Sequence, residues 1–429
     1  MSLSERVRTS DALLEAWHAI QRNGETSRSR KTREETRRFG ADLPRQLRRI
    51  AERLRAGYAF ERQLGATPEK KKGKGKRPLV IAPLADRIVQ RSILNTLQDA
   101  NELKGVQELL STPTSIGGIR GRGVEHAIAL IDQTYRDGNA KFIAGSDISG
   151  FFTKIDQKEI VQFIASQTDD VDFVALFARA LRVDLANGDD MDPEDRKLFP
   201  TDDIGVAQGC PLSALAGNVA LQDFDKLMNG RGVKCIRYID DFILLGKRRD
   251  SVESAFAAAG SYLLSKGMQI YDPHARPDKA FFGPITEGFD FLGYELTPVF
   301  YPPSAKNREA LLLSVKHELN EGRSQILHAL KNENDNRRRQ YFSQSIVAVD
   351  DLLRAWSGSF RASRCERTAN EIDAACNQLI ANFIEFYRER TSDLSQSSRR
   401  RVLGVHMLSN DIRERHQSED SSKGASRKA

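Results

Sequence analysis

Cysteine is scarce in this 429-residue chain, and the four present, Cys210, Cys235, Cys365 and Cys376, fall in no CxxC or Cys/His spacing. Neither a disulfide framework nor a zinc site is indicated, and all four read as reduced and mostly buried. No stretch of 18 apolar residues occurs, which excludes an ordinary transmembrane helix. The opening MSLSERVRTS has no apolar core ahead of a small-residue cleavage site, so no secretory leader is expected and the chain is placed in the cytoplasm. No internal repeat is visible. What remains is 39% hydrophobic, the composition of a soluble globular protein with two or three domains and a core that needs no staples.

Charge is plentiful but uneven. Residues 1–78 hold 21 Lys and Arg against 10 Asp and Glu, whereas the formal net charge of the whole chain is only +7. A local surplus of this kind suits a polyanion, because each neutralised phosphate releases counterions. A solvated helical face is the competing reading of residues 1–56.

Residues 11–22 and 43–56 read as amphipathic helices, the second with Leu43, Leu47, Ile50 and Leu54 on one stripe. The Lys/Gly run 70–77 breaks that periodicity and leads into a short strand over 78–83. A helix from Asp86 to Leu97, a Gly/Arg-rich loop over 117–123 and a helix from about Val124 to Tyr135 follow. Residues 141–147 form an apolar strand ending on an acid, and 233–247 read as two strands hinged on Asp240 and Asp241. A helix is expected over 208–229, three short strands around 268–272, 279–283 and 289–297, and helices from about 305 to 390 with Trp356 packing in their core. The acidic stretch 184–203 reads as a solvated surface loop whose acids miss the alternation of a calcium loop. The tail from Gln417 is expected to be disordered.

Asp147, Asp240 and Asp241 each lie where a strand ends. If those strands are neighbours, their carboxylates make a hard-cation site able to support in-line phosphoryl transfer; an Asp-Asp pair alone is more often an ordinary turn.

Five ordered blocks carry more than that pair does. Arg77-Pro78-Leu79 with Asp86-Arg87-Ile88-Val89-Gln90, then Asp147-Ile148-Ser149-Gly150-Phe151-Phe152, Gln208-Gly209-Cys210-Pro211-Leu212-Ser213, Tyr238-Ile239-Asp240-Asp241 and Phe291-Leu292-Gly293-Tyr294 resemble, over roughly residues 45–390, the motifs of bacterial reverse transcriptases. The resemblance implies an α+β right-hand polymerase, with fingers and palm of antiparallel sheet plus helices and a C-terminal α-helical thumb. The expected layout is a basic helical extension over 1–60, fingers over 61–140, palm over 141–300, thumb over 305–392 and a basic tail over 393–429.

Carried over residue by residue, the resemblance makes Asp147, Asp240 and Asp241, with the carbonyl of Ile148, the ligands of two Mg²⁺ ions, Mn²⁺ being the substitute. Lys279 would protonate the leaving pyrophosphate, against its reading as a surface lysine. Arg77, with Lys74 and Lys76, would grip the triphosphate; a solvated basic run is the alternative. Gln208 and Gly209 would open a helix whose backbone lies close to the nucleotide. Phe152, five residues after Asp147, would crowd the 2′ carbon and so select dNTPs, unless it is core beside Phe151. Residues 291–294 would be the primer grip, or a strand turn with buried aromatics. Arg87, Arg120 and Arg122 would touch nucleic acid, and Arg399, Arg400 and Arg401 are a further cluster that is either RNA-facing or solvated.

The motif-B block QGCPLSALAGNVAL and the lack of retron signatures resemble most the defence-associated, unknown-group and abortive-infection-related enzymes. That likeness implies a structured non-coding RNA, a cDNA product, homo-oligomers and partner proteins of a defence operon, with no membrane. No RNase H domain is expected in the residues that follow the helical region. Two alternatives stand beside this reading: template-independent or protein-primed DNA synthesis, and a catalytically silent RNA-binding scaffold.

Overall fold

The computed structural model describes residues 1–405 other than 28, 70–74 and 332–340, together with 408. Lys74 and the tail beyond Gln417 lie outside the described residues. The chain divides into two compact units, 1–287 and 288–429.

The first unit opens with helices. Ser2 and Glu5 form a capping box on α1 (Leu3–Val7), and the Thr9 hydroxyl caps α2 (Ser10–Glu25). Leu13, Ala16, Trp17 and Ile20 recur at helical spacing and are buried. The next helix, α3 (Arg30–Ala41), was not expected from sequence, since Phe39 is the only large apolar side chain in it. Tertiary contacts hold it: Phe39 stacks on Trp17 at 5.0 Å between centroids, and Gly24 of α2 backs onto buried Thr36. α4 (Leu43–Arg55) buries Leu47 and Ile50 of the expected stripe.

A ribbon of β1 (Leu64–Ala66) and β2 (Leu79–Ile81) leads to α5 (Leu84–Asp99), α6 (Lys104–Ser111) and α7 (Val124–Arg136). Then come β3 (Phe142–Ser149), α8 (Gln157–Ala165), α9 (Val171–Leu181), α10 (Pro193–Arg196), α11 (Ser213–Ala220) and α12 (Gln222–Asn229). The unit closes with β4 (Lys234–Tyr238), β5 (Asp241–Gly246), α13 (Arg249–Ser265), β6 (Gln269–Ile270) and β7 (Ala280–Pro284). β3 is the central strand of an antiparallel sheet: β5 and then β4 lie along one side, and β6 and β7 share the other. β3 is buried almost throughout, its edges taken by strands and its Ala144 and Ile148 side chains in one core cluster with Val252 and Ala255 of α13, which is why 141–147 reads as a nearly continuous apolar run.

Two expectations are corrected here. The helix expected over 208–229 starts only at Ser213 and breaks at Leu221. Pro211 disfavours a helical Cys210, and Gly209 sits at φ +113°, so Gln208 and Gly209 form the turn before the helix rather than its first residues. The stretch 184–203 is not a solvated loop. Leu185 and Phe199 pack with Val80 and Ala207, Gly65 exchanges hydrogen bonds with Asn187, and Thr67 donates to Asp195, so the segment wraps the β1–β2 ribbon. Its acidic composition hides the few apolar residues that do the packing.

The second unit begins with a hairpin of β8 (Phe289–Phe291) and β9 (Tyr294–Leu296), joined through Leu292 and Gly293, both at positive φ as a two-residue primed turn requires. α14 (Ala305–Lys331), α15 (Phe342–Ser359), α16 (Glu366–Thr391) and α17 (Gln396–Leu403) build its core from Leu311, Val315, Ile326, Val349 and Phe383, with Trp356 packed alongside. Gly322 lets α14 approach α15, where any Cβ would strike Ser345 Oγ. Arg399 donates to the carbonyls of Thr391 and Ser392, and Arg401 to that of Ala329, so these two arginines tie helix ends together, Arg399 while remaining exposed.

Candidate active site

The strand register brings the acids together. Asp147 near the end of β3 pairs directly with Asp241 at the start of β5, and opposed residues on antiparallel strands place their Cβ atoms about 4.5–5.5 Å apart. Asp240 lies in the two-residue turn between β4 and β5, and its carbonyl accepts from Ile148 N at 2.9 Å, tying the turn to β3. Lys279, just ahead of β7, accepts at its backbone carbonyl from Asp147 N (3.1 Å), and its ammonium is ion-paired with the Asp147 carboxylate. Four of the sequence-named catalytic residues therefore share one end of the sheet.

The electrostatics follow from this crowding. Burial first, and the neighbouring Asp240 charge second, push the Asp241 carboxyl up to about 7. The carboxylates of the cluster are hard oxygen donors, with the Lys279 ammonium ion-paired to Asp147. That is the donor chemistry of Mg²⁺. In this arrangement Asp147 is turned to Lys279, and no ready-made cluster of three metal-ligating side chains stands among the described residues. Ile148 is 2% exposed, its N–H is spent on the Asp240 carbonyl and its side chain has no donor atom, so its own carbonyl is the one atom it could offer a cation.

The turn is strained. Ile239 sits at φ +61°, the left-handed region that a β-branched residue rarely adopts, at a cost of about 1–3 kcal/mol. Nothing in the spacing of YIDD announces this strain. The residue that answers it, Arg237, was also passed over, although a charged residue between Ile236 and Tyr238 in the interior of a strand is the signature of a buried ion pair.

The nucleotide-binding candidates scatter more widely. Arg77 is exposed beside β2. Lys76 is engaged by Asp195, with Nζ 2.7 Å from both carboxylate oxygens, a pairing that raises the lysine and lowers the aspartate from their ordinary values. Asp195 belongs to the segment expected to be solvated. The Gln208 carbonyl accepts from Val80 N, and a Cβ on Gly209 would come within 3.1 Å of the Val80 carbonyl, so this turn lies against β2. Phe152 is half-buried, 5.2 Å from the Phe151 ring, with its carbonyl accepting from Val206 N. It belongs to the edge of the core as well as to the motif.

The nucleic-acid candidates are mostly occupied. Arg122 donates to the carbonyls of Thr112 and Ser115, Arg120 pairs with Asp99 and Glu15, and Arg87 is largely withdrawn from solvent near Glu35. In the second unit Phe291 and Tyr294 are buried, Tyr294 edge-on to Phe360, and only Leu292 and Gly293 form the accessible tip.

An antiparallel sheet presenting paired aspartates at one strand end, within a mixed helical and sheet unit followed by a helical region, defines a polymerase-type fold. The family model described as reverse transcriptase (RNA-dependent DNA polymerase) matches residues 69–296, and the chain belongs to that family. It is similar to the protein YkfC of Escherichia coli strain K12, 24% identical over 262 residues covering 52% of this chain and 64% of that protein. Among solved structures it is similar to a partial Cas6-RT-Cas1–Cas2 complex, 20% identical with a TM-score of 0.35, over 63% of this chain and 44% of the other. Among the described residues no helix is long and apolar enough to cross a membrane.

Proposed function

We propose that this chain is an RNA-directed DNA polymerase that copies an RNA template into cDNA from dNTPs, acting in the cytoplasm in antiphage defence with a dedicated structured RNA. The observation that carries the catalytic part is the register of Asp147 opposite Asp241 with Asp240 in the adjoining turn. A scaffold that only held RNA would gain nothing from carboxylates crowded against phosphate.

Asp147, Asp240, Asp241 and the Ile148 carbonyl would hold two Mg²⁺ ions, which would supply the charge that activates a primer 3′-hydroxyl and neutralises pyrophosphate. The 3′-hydroxyl would give its proton to solvent and its oxygen would bond to the α-phosphorus while the bond from that phosphorus to pyrophosphate breaks. Lys279, already at the Asp147 carboxylate, is the ammonium near enough to the cluster to supply a proton to the leaving group once a cation replaces it as the counterion of Asp147. Arg77 and Lys76 would meet the triphosphate, Lys76 after leaving Asp195. The defence role and its partners rest on the likeness of the motif set, and homo-oligomers and operon-encoded proteins are proposed on the same ground.

The test is primer extension on an RNA template with dNTPs and Mg²⁺. Asp240→Asn should lower incorporation by roughly 10²–10³-fold or more, equivalent to about 3–4 kcal/mol of lost transition-state stabilisation, with a melting temperature no lower than that of wild type. Near wild-type synthesis by that variant would sink the two-metal assignment. Sequencing the RNA and DNA that copurify with the protein tests the dedicated-RNA part, and a covalent DNA adduct on Tyr, Ser or Thr would point instead to protein priming.

A further inference from the structure

Arg237 in β4 is wholly buried, 0% exposed. A guanidinium carries five N–H donors and keeps its charge at any physiological pH, so burial obliges the fold to meet each donor. Nε and Nη2 close a fork on Asp225 of α12 at 2.7 and 2.6 Å, and Nη2 also donates to Ser115 Oγ at 2.8 Å. Nη1 donates to Asn218 Oδ1 of α11 at 3.0 Å and to the backbone carbonyl of Ile239 at 2.8 Å. The surroundings are held in turn: Arg237 N donates to the Thr114 carbonyl, Ile116 N donates to the Arg237 carbonyl, and Asn218 Nδ2 donates to the Gly117 carbonyl.

The division of donors is informative. Asp225 alone would neutralise the charge, and a lysine could supply that. Planarity lets the same group reach Asn218 and Ile239 from its other edge. Ile239 O is the one backbone atom among the side chain's acceptors, and it belongs to the residue with the strained φ. Gly117 completes the seat, since a Cβ there would fall 2.3 Å from Ile239 Cγ1 and 2.7 Å from its backbone nitrogen.

We propose that Arg237 is a positioning residue for the active-site turn: its bond to the Ile239 carbonyl holds the positive-φ backbone and so sets where Asp240 and Asp241 present their carboxylates. Asn218 and Ser115 orient the guanidinium for that task. The link to catalysis rests on the polymerase reading above; the mechanical part does not.

Full-length Arg237→Lys and Asn218→Ala test it, the second leaving the Arg237–Asp225 fork in place. Four measurements are compared with wild type: melting temperature, amide hydrogen exchange, Mn²⁺ binding by electron paramagnetic resonance without nucleic acid, and kcat and KM for dNTP incorporation. Positioning predicts faster exchange confined to peptides spanning 238–242 and 146–150, Mn²⁺ binding weakened about tenfold, and kcat lowered at least tenfold with KM within about threefold. Adding Ile239→Gly to Arg237→Lys should recover most of the lost kcat, because glycine takes a positive φ without strain. Exchange that rises only in step with the whole unit, or no recovery with Ile239→Gly, overturns the proposal. Failure of both single variants to fold overturns it too, since the network would then be a requirement of the core alone. A wild-type protein that neither incorporates dNTPs nor binds Mn²⁺ defeats the polymerase reading, and the exchange pattern still decides positioning.

Discussion

Replacing Asp241 with asparagine should make the metal-free protein more stable at neutral pH and leave it unchanged in mild acid. In the native state the Asp241 carboxyl is pushed up to about 7 from 3.8 by burial and by the Asp240 charge. A shift of about three units is worth about 4 kcal/mol at about 1.4 kcal/mol per unit. Partial exposure of the side chain screens this, so about 2 kcal/mol is the working figure. The sign follows from proton binding: the native state holds the Asp241 proton to higher pH than the unfolded chain does, so stability declines as pH rises from about 4 to about 7 and the full penalty applies above 7. An amide carries no charge at either end of that range. For a unit of this size each kcal/mol moves the melting temperature by about 2–4 °C, so Asp241→Asn should melt about 4–8 °C above wild type at pH 8 in EDTA, and within about 1–2 °C of it at pH 4.5. The assay is a pair of melting curves across that range, read as a difference so that the other titrating groups cancel. Mg²⁺ should then raise the wild type more than the variant. A difference that stays constant with pH, or a wild type that melts higher at pH 8, would refute the reasoning.

Phe152→Val or Phe152→Ala should admit rNTPs with a modest loss of dNTP use if its ring abuts the sugar. If its place at the core edge is its whole role, both substrates fail together and the variant melts early, full truncation of a buried Phe costing about 3–5 kcal/mol. Primer extension with each nucleotide, beside a melting curve, separates these outcomes. On the exposed face of α4, changing Arg45, Arg48 and Arg49 together should flatten the salt dependence of structured-RNA binding by about one unit of slope per lost phosphate contact; affinity that ignores salt would remove this surface from the RNA path. Loss of Arg77 should raise the dNTP concentration needed for synthesis while RNA affinity holds, and the reverse pattern would move Arg77 from nucleotide to template.

Much of the first unit could be read from residue order because local physics determines it. The stripe of Leu47 and Ile50, the apolar run before Asp147 and the two strands meeting at Asp240 and Asp241 are periodic signals, and periodicity depends only on near neighbours in the chain. The same reasoning missed α3, whose charged residues become a helix when Phe39 and Thr36 pack against Trp17 and Gly24 of α2, and it left 184–203 in solvent because Leu185 and Phe199 acquire partners only when β1 and β2 are nearby. Which strands are neighbours, and in what register, was decided by tertiary pairing: Asp147 faces Asp241 because β3 takes β5 along one edge. The strain at Ile239 and the five bonds of Arg237 belong to the same level. Asn218, Asp225 and Ser115 are far from that turn in sequence, and a buried cation gathers them only when the chain has folded around it.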